Sequence, residues 1–351
     1  MIQELFFALL RYALWKSKEE LPKELTETEI SRLIGIAEEQ TVIGLVGDAL
    51  IHHEITLPRQ FVPKIVWMTE HVRQSNQLVN EELKSLVKLP LANYAVVKGQ
   101  TVASFYPSPL LRMSGDIDFL VRDYLTARSV LGQCWQVELP ELLIDKEIAF
   151  KHNGVIYEIH TELIRFGCRS HQRYWEELMK RDFGMVDIEG IGVPTLEPTI
   201  YSVYVFTHLF FHFIREGVGF RQMCDWAMVL HHYKNNINQD ELKMILGQLG
   251  LLKAYQVFGC ILVNKLGFVG FPIKIEDNDH RWMDKLLADI LKEGNFGRYV
   301  RKRKSLGWRY KMETMRLTFW KCVKYWPLAP SELTMRIPQM VWLNVRLLLN
   351  K

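Results

Sequence analysis

Residues 112–121 read Arg-Met-Ser-Gly-Asp-Ile-Asp-Phe-Leu-Val, and from Asp116 onward carboxylate and apolar side chains alternate. A period of two predicts a β-strand, because successive strand residues point to opposite faces. Asp116 and Asp118 then project together from one face, while Ile117 and Phe119 enter a core. Two carboxylates held that close repel each other unless a cation lies between them, so Asp118→Asn should change the stability of the metal-free protein little, with at most a slight gain. Oxygen-only ligation of this kind suits Mg2+, or Mn2+ in its place. A strand with a merely polar outer face has the same alternation, so the surrounding residues decide between the two.

Upstream, Tyr94-Ala-Val-Val97 predicts a short buried strand, and Lys98-Gly99-Gln100-Thr101 turns into a helix through Val102–Tyr106. A strand-to-helix turn leaves backbone N–H groups free, and with the helix dipole these favour a phosphate. Gly99 lets the backbone approach closely, and Lys98 supplies a positive charge or an ion pair to the acids. Downstream, residues 147–151 and 155–160 predict two strands joined at Asn153-Gly154, a strong hairpin signal. Glu158 and His160 share one face there. A third carboxylate from a neighbouring strand completes a two-metal site, which clamps the attacking and leaving oxygens of an in-line displacement.

The rest of the chain frames this unit. Residues 1–90 predict helices, with Thr26 as a cap, Ile30, Leu33, Ile34 and Ala37 at helical spacing, and a long helix over about 58–86. A second hairpin is expected over 185–193, and from Pro198 the pattern is helical, with a Gly/Pro/Asp-rich break at 267–279. Three parts follow: a helical part at 1–90, an α+β core at 91–195 and a helical part at 196–351. With 48% hydrophobic and 24% charged residues the chain has an ordinary globular profile, and a net charge of +4 gives no polycation argument for nucleic acid. Five scattered cysteines without a CxxC pair read as reduced thiols in a cytoplasmic protein. The apolar N-terminus is interrupted by Glu4 and Arg11 and reads as an amphipathic helix. No stretch reaches the roughly 18 apolar residues a membrane span needs.

The runs Val96–Pro107, Arg112–Val121 and Tyr157-Glu-Ile-His160 resemble the uncharacterised nucleotidyltransferase family of the DNA polymerase β-like nucleotidyltransferase superfamily. The resemblance implies an α+β fold, a small mixed β-sheet nucleotidyltransferase core flanked by helices, with helical N-terminal and C-terminal parts. It implies that Asp116, Asp118 and Glu158 bind metal and are catalytic, and that Lys98, Gly99, Gln100, Thr101, Arg112 and Ser114 meet the nucleotide. His160 then lines the cleft with His208, His212, Arg221 and Asp225, which match the family's paired His, Arg and Asp. The implied reaction moves an NMP from an NTP, ATP first among them, to an acceptor hydroxyl and releases pyrophosphate. The acceptor could be a protein, an RNA 3′ end or a small molecule. One departure is visible: the superfamily's Gly-Ser pair before its Asp-x-Asp is here Gly99-Gln100, at a longer separation. Glu162 is the other candidate for third carboxylate.

Three further readings stay open. The same fold could be an inactive nucleotide- or RNA-binding module, and Glu158, His160 and Glu162 could serve a hydrolase, which leaves the Lys98-Gly99 turn unexplained. His208 and His212, four apart, share a helix face, but without an HExxH arrangement or nearby Cys they read as hydrogen-bonding or cleft-lining groups. Arg221 and Asp225 could pair with each other, or Arg221 could face the nucleotide. Finally, Arg298–Lys324 holds ten Lys/Arg and one acid, Glu313, with Trp308, Tyr310 and Trp320 interleaved. Such a run can bind nucleic acid, or it can be a solvated helix face with its aromatics buried.

Overall fold

The computed structural model describes residues 2–53, 55–143, 145–297 and 308–349, with the side chains of 308–311 and 340–349 left aside. Its internal contacts group into two compact units: 1–38, 42–163 and 182–201 in the first, 39–41, 164–181 and 202–351 in the second.

The first unit begins with α1 (Ile2–Trp15), α2 (Glu27–Glu39), α3 (Ile43–His52) and α4 (Val62–Val87). Helix α2 starts where a capping box forms: Thr26 Oγ1 accepts from Glu29 N at 3.3 Å, and Glu29 Oε2 accepts from Thr26 N at 3.0 Å. Ile30, Leu33, Ile34 and Ala37 then face inward. After α4 come β1 (Tyr94–Val96), α5 (Gln100–Ala103), β2 (Asp116–Val121), α6 (Tyr124–Trp135), β3 (Glu147–His152), β4 (Val155–His160), β5 (Gly184–Ile188) and β6 (Ile191–Thr195). The first four strands form a mixed sheet in the order β1-β2-β4-β3, and β5 pairs with β6. Strand β2 runs antiparallel to β1 and parallel to β4, while β3 and β4 form a hairpin. Ile117, Phe119, Leu120 and Val121 are all buried, which explains why β2 lies in the middle of the sheet. Both hairpins turn on a pair of residues at positive φ, Asn153 (44°) with Gly154 (89°) and Glu189 (53°) with Gly190 (81°).

Helix α4 supports the segment that leads into β2. Asn76 Nδ2 donates to Leu110 O at 2.8 Å and to Arg112 O at 2.7 Å, so the approach to Asp116 is tied to the helix. Helix α3 closes on the same segment at Gly44, where a Cβ would come within 2.3 Å of Leu111 O. Only glycine permits that approach.

The second unit is helical: α7 (Arg169–Leu178), α8 (Pro198–Arg215, entering from the first unit), α9 (Phe220–His232), α10 (Gln239–Gln248), α11 (Leu252–Asn264), α12 (His280–Glu293), α13 (Trp308–Lys324) and α14 (Pro330–Leu349). Its core is aromatic, with Phe206 edge-on to Tyr255 at 4.8 Å and Trp226 edge-on to Tyr255 at 4.7 Å. Residues 298–307 of the basic run lie outside the described residues. Over the part with described side chains, Arg316 and Lys324 are exposed as a solvated basic face requires, but Lys321 and the aromatics depart from that expectation. Lys321 turns inward to Glu293 and to Phe213 O, whereas Trp320 is exposed. Among the described residues no helix is long and apolar enough to cross a membrane.

Candidate active site

Parallel pairing of β2 with β4 sets Asp118 opposite Glu158, Asp116 opposite Ile156 and Leu120 opposite His160. Register partners share a face, so Asp116, Asp118, Glu158 and His160 all project from one side of the sheet. Asp118 is buried, with Lys98 Nζ 2.8 Å and His160 Nε2 2.9 Å from its Oδ1. His160 Nε2 also lies 3.7 Å from Glu158 Oε2. The other ring nitrogen, Nδ1, is 3.3 Å from Glu147 Oε2, close enough for charge attraction though poorly aligned for a hydrogen bond. One ligand atom each from Asp118, Glu158 and His160 lie within 4.8 Å of one another. Asp116 is half-buried on the same face.

The electrostatics separate these acids. Burial opposes the charge on Asp118, but Lys98 and then His160 outweigh it and hold the carboxyl well below its usual range. Glu158 goes the other way. Burial, then the charges of Asp118 and Asp116, push it from 4.5 up to about 7, against weaker pulls from Lys98 and His160. His160 is penalised by burial yet raised by Asp118 and Glu147. Glu147 is held low by His160, with burial opposing and Lys146 assisting.

This donor set fits a divalent cation. Asp118 and Glu158 offer oxygens at the centre of the cluster and Asp116 adds a carboxylate on the same face, and Glu158 resists ionising through burial first and then the charges of Asp118 and Asp116, a penalty that a cation would relieve.

A stability prediction follows from Glu158. Its folded pKa lies above its unfolded one, so the folded state holds a proton that the unfolded state has lost between pH 4.5 and about 7. Metal-free stability should therefore fall as pH rises through that window, by on the order of 2 kcal/mol once solvent screening is allowed for. Mn2+ should remove the slope, because it replaces the proton, and Glu158→Gln should remove both the slope and most of the Mn2+ effect. Melting temperature against pH, with and without Mn2+, reads this out. A flat metal-free profile would contradict it.

Loop residues ahead of the strands play a different part. Gly99 has φ 61°, and a Cβ there would sit 3.0 Å from Asp116 O, so the Lys98 turn rests directly on the start of β2. Helix α5 is a single turn of four residues, so it brings little dipole to a phosphate, and the sequence argument from the helix dipole does not hold here. Gln100 and Thr101 are buried. Gln100 Nε2 donates to Asn80 Oδ1 and to Asn76 O, its Oε1 accepts from Ser114 Oγ at 2.6 Å, and Arg112 Nη1 donates to Ser114 Oγ at 2.7 Å. Thr101 Oγ1 bonds Tyr201 OH at 2.6 Å. These side chains brace the Arg112–Gly115 loop from behind.

His208, His212, Arg221 and Asp225 belong to the second unit. There the rings of His208 and His212 are 4.2 Å apart, and His212 Nδ1 lies 3.2 Å from Glu216 Oε2. Asp225 is buried, and Arg221 N donates to Gln40 O. Glu162 lies just beyond the end of β4.

Sequence reasoning missed Glu147, Asn76 and Asn80. Counting outward from the Asn153-Gly154 turn pairs Glu147 with His160, which is the signal that would have found it. Asn76 and Asn80 interrupt the apolar stripe of Val72, Val79 and Leu83 at a spacing of four, and that interruption was equally readable.

The sequence profile of a family described as uncharacterised nucleotidyltransferase matches residues 26–266. No curated protein matches the chain. Among solved structures, an antigenic nucleotidyltransferase-like protein from Paracoccidioides brasiliensis is similar at 12% identity. The match covers 57% of this chain and 94% of that one with a TM-score of 0.29, too loose a likeness to add to the geometry above.

Proposed function

This chain belongs to the uncharacterised nucleotidyltransferase family, and on that premise we propose that it is a metal-dependent enzyme that moves an NMP from an NTP to an acceptor hydroxyl and releases pyrophosphate. The observation that carries this reading is the register of β2 against β4, with Asp118 beside Glu158 and Asp116 two residues before on the same face. Asp116, Asp118 and Glu158 would hold Mg2+ or Mn2+. When bound, such a cation supplies positive charge to the triphosphate and lowers the barrier to attack by the acceptor oxygen.

The protein's own groups do the rest. Lys98, held against Asp118, is a cation beside the carboxylates, suited to a phosphate oxygen. His160 keeps the Asp118 carboxylate oriented, and Glu147 keeps His160 charged toward it. Gln100, Ser114 and Arg112 hold the loop before Asp116 rigid, so the acids stand ready before substrate arrives and alignment takes no further ordering. Thr101 anchors the Lys98 turn from beneath.

Incubation with each α-labelled NTP, Mg2+ or Mn2+, and a cell extract tests the reading. A labelled product from one NTP, with ATP the first to try, is the expected result, and its chemistry identifies the acceptor class. No product with any NTP, together with retained NTP binding, would instead favour an inactive nucleotide-binding module.

A further inference from the structure

Strand β3 ends the sheet order, and every one of its residues is exposed or half-exposed. Its inner edge pairs with β4. Thr161 N donates to Lys146 O at 2.9 Å, so the bonded pairs alternate from Lys146/Thr161 to His152/Val155. By that alternation the N–H and C=O groups of Glu147, Ala149 and Lys151 point outward from the sheet. No backbone group of the described residues pairs with them.

The same three residues are the register partners of His160, Glu158 and Ile156. Their side chains therefore share the face that carries the acids. An open backbone edge and the reactive face thus meet on one strand, with the small side chain of Ala149 directly beside Glu158.

Resting on the transfer reading above, we propose that the acceptor is an extended polypeptide that adds to the free edge of β3 and presents a tyrosine across Ala149 toward Glu158. Alternating N–H and C=O groups at strand spacing are matched along their whole length by another strand, whereas a ribose-phosphate chain or a small polyol meets them only singly. Reach selects the side chain. An added strand outside β3 lies two spacings, roughly 9.6 Å, from β4, which carries Glu158. A serine hydroxyl stops about a quarter of the way, short of β3, whereas a tyrosine phenol passes over Ala149 and covers about two thirds of it, with the Glu158 side chain and the bound phosphate reaching from the other side.

Charge selects the flank. Lys151 is exposed on this face, two residues from Ala149, and no acid among the described residues is recorded against it. It faces the residue two positions from the tyrosine, which an Asp or Glu complements. In the reaction the phenol oxygen attacks the α-phosphorus of the NTP. The new bond is phenol O–Pα, the bond broken is Pα to the bridging oxygen, pyrophosphate leaves with that electron pair, and the phenol proton passes to solvent.

The test uses the full chain and fluorescein-labelled nonapeptides with a central Tyr, Phe or Ser and Asp or Lys two residues away. Anisotropy reads binding, α-labelled NTP reads transfer, and the melting shift with Mn2+ and NTP reads the nucleotide site independently of β3. Tyr and Phe peptides with Asp should bind alike, with Phe unlabelled and Ser labelled at least 100-fold less than Tyr.

Ala149→Pro deletes an outward N–H without touching the β3–β4 ladder, so it should weaken peptide binding at least tenfold while the nucleotide-linked melting shift stays. Lys151→Glu should reverse the preference to peptides with Lys, a result that misfolding cannot imitate. If wild type labels an RNA or a small molecule in an extract and Ala149→Pro does so equally well, the docking proposal is wrong and the transfer reading survives. If Ala149→Pro merely turns a dimer into a monomer, the edge serves self-association and the proposal is again wrong. Absence of both label and nucleotide-linked shift in wild type removes the transfer reading and this proposal with it.

Discussion

Asp118→Asn is expected to lower nucleotidyl transfer on the order of 1000-fold or more, while NTP binding changes only a few-fold. Asparagine keeps the size and one oxygen of the side chain but loses the charge that balances a cation and holds Lys98. Nucleotide can still meet Lys98, but the acids no longer align the reacting groups. The same substitution should cost about 3 kcal/mol of stability, because Lys98 and His160 lose the buried carboxylate they share. From sequence alone little change was expected, with at most a slight gain, since two neighbouring aspartates repel. Lys98 and His160 reverse it by neutralising Asp118 before any metal arrives. Rates should therefore be compared well below the melting temperature of the variant. A variant that transfers as well as wild type would rule out a catalytic role for this carboxylate.

The largest stability effect is expected in the second unit, at Glu332. It is fully buried and accepts from Gly167 N at 2.5 Å, Cys168 N at 3.2 Å, Arg336 Nη1 at 3.2 Å and His171 Nδ1 at 3.3 Å. Three of these donors tie α14 to the start of α7, and the fourth, Arg336, lies on α14 itself. Glu332→Ala strands Arg336 and two backbone N–H groups in the interior, for a loss of about 4 kcal/mol of unfolding free energy, measured by denaturant titration. Its pH behaviour has a definite sign. Burial opposes the charge on Glu332, but His171, Arg336 and the two amides lower its pKa, so its contribution is complete above the unfolded carboxylate range and is lost as pH falls through the folded value. His171 is raised by Glu332, so its share is present below the ordinary histidine range and is lost as pH rises past the folded pKa. Stability from this cluster should thus peak in mildly acidic solution in wild type and show no such peak in Glu332→Ala. A variant within about 1 kcal/mol of wild type would mean that the segment relaxes around the loss.

Local features of this fold were legible in the sequence because local rules govern them. Strand β2 was readable from its alternation, both hairpins from turn residues at positive φ, and α2 from its capping box. The parallel pairing of β2 with β4 was not readable in the same way, because residues some forty apart choose each other through packing and not through any local signal. The candidate site divides along the same line. Asp116, Asp118 and Glu158 followed from period-two spacing, whereas the pairing of Lys98 with Asp118 and the bracing of Ser114 by Gln100 depend on side chains meeting across the fold. Lys321 makes the point in reverse. A lysine in a basic run reads as solvated, yet it lies over the Phe213 ring at 4.3 Å and bonds the Phe213 carbonyl, where its stem packs and its charge is met.

Nucleotidyl transfer differs from its rivals in which phosphate travels, and that can be followed directly. The active NTP is supplied radiolabelled at either the α- or the γ-phosphate, with Mn2+, acceptor and wild-type protein. Transfer through Asp116, Asp118 and Glu158 predicts α-label in the acceptor, γ-label released as pyrophosphate in equal amount, and neither event in Asp118→Asn. Label from the γ position in the acceptor, or nucleoside monophosphate and pyrophosphate with no labelled acceptor, would contradict it.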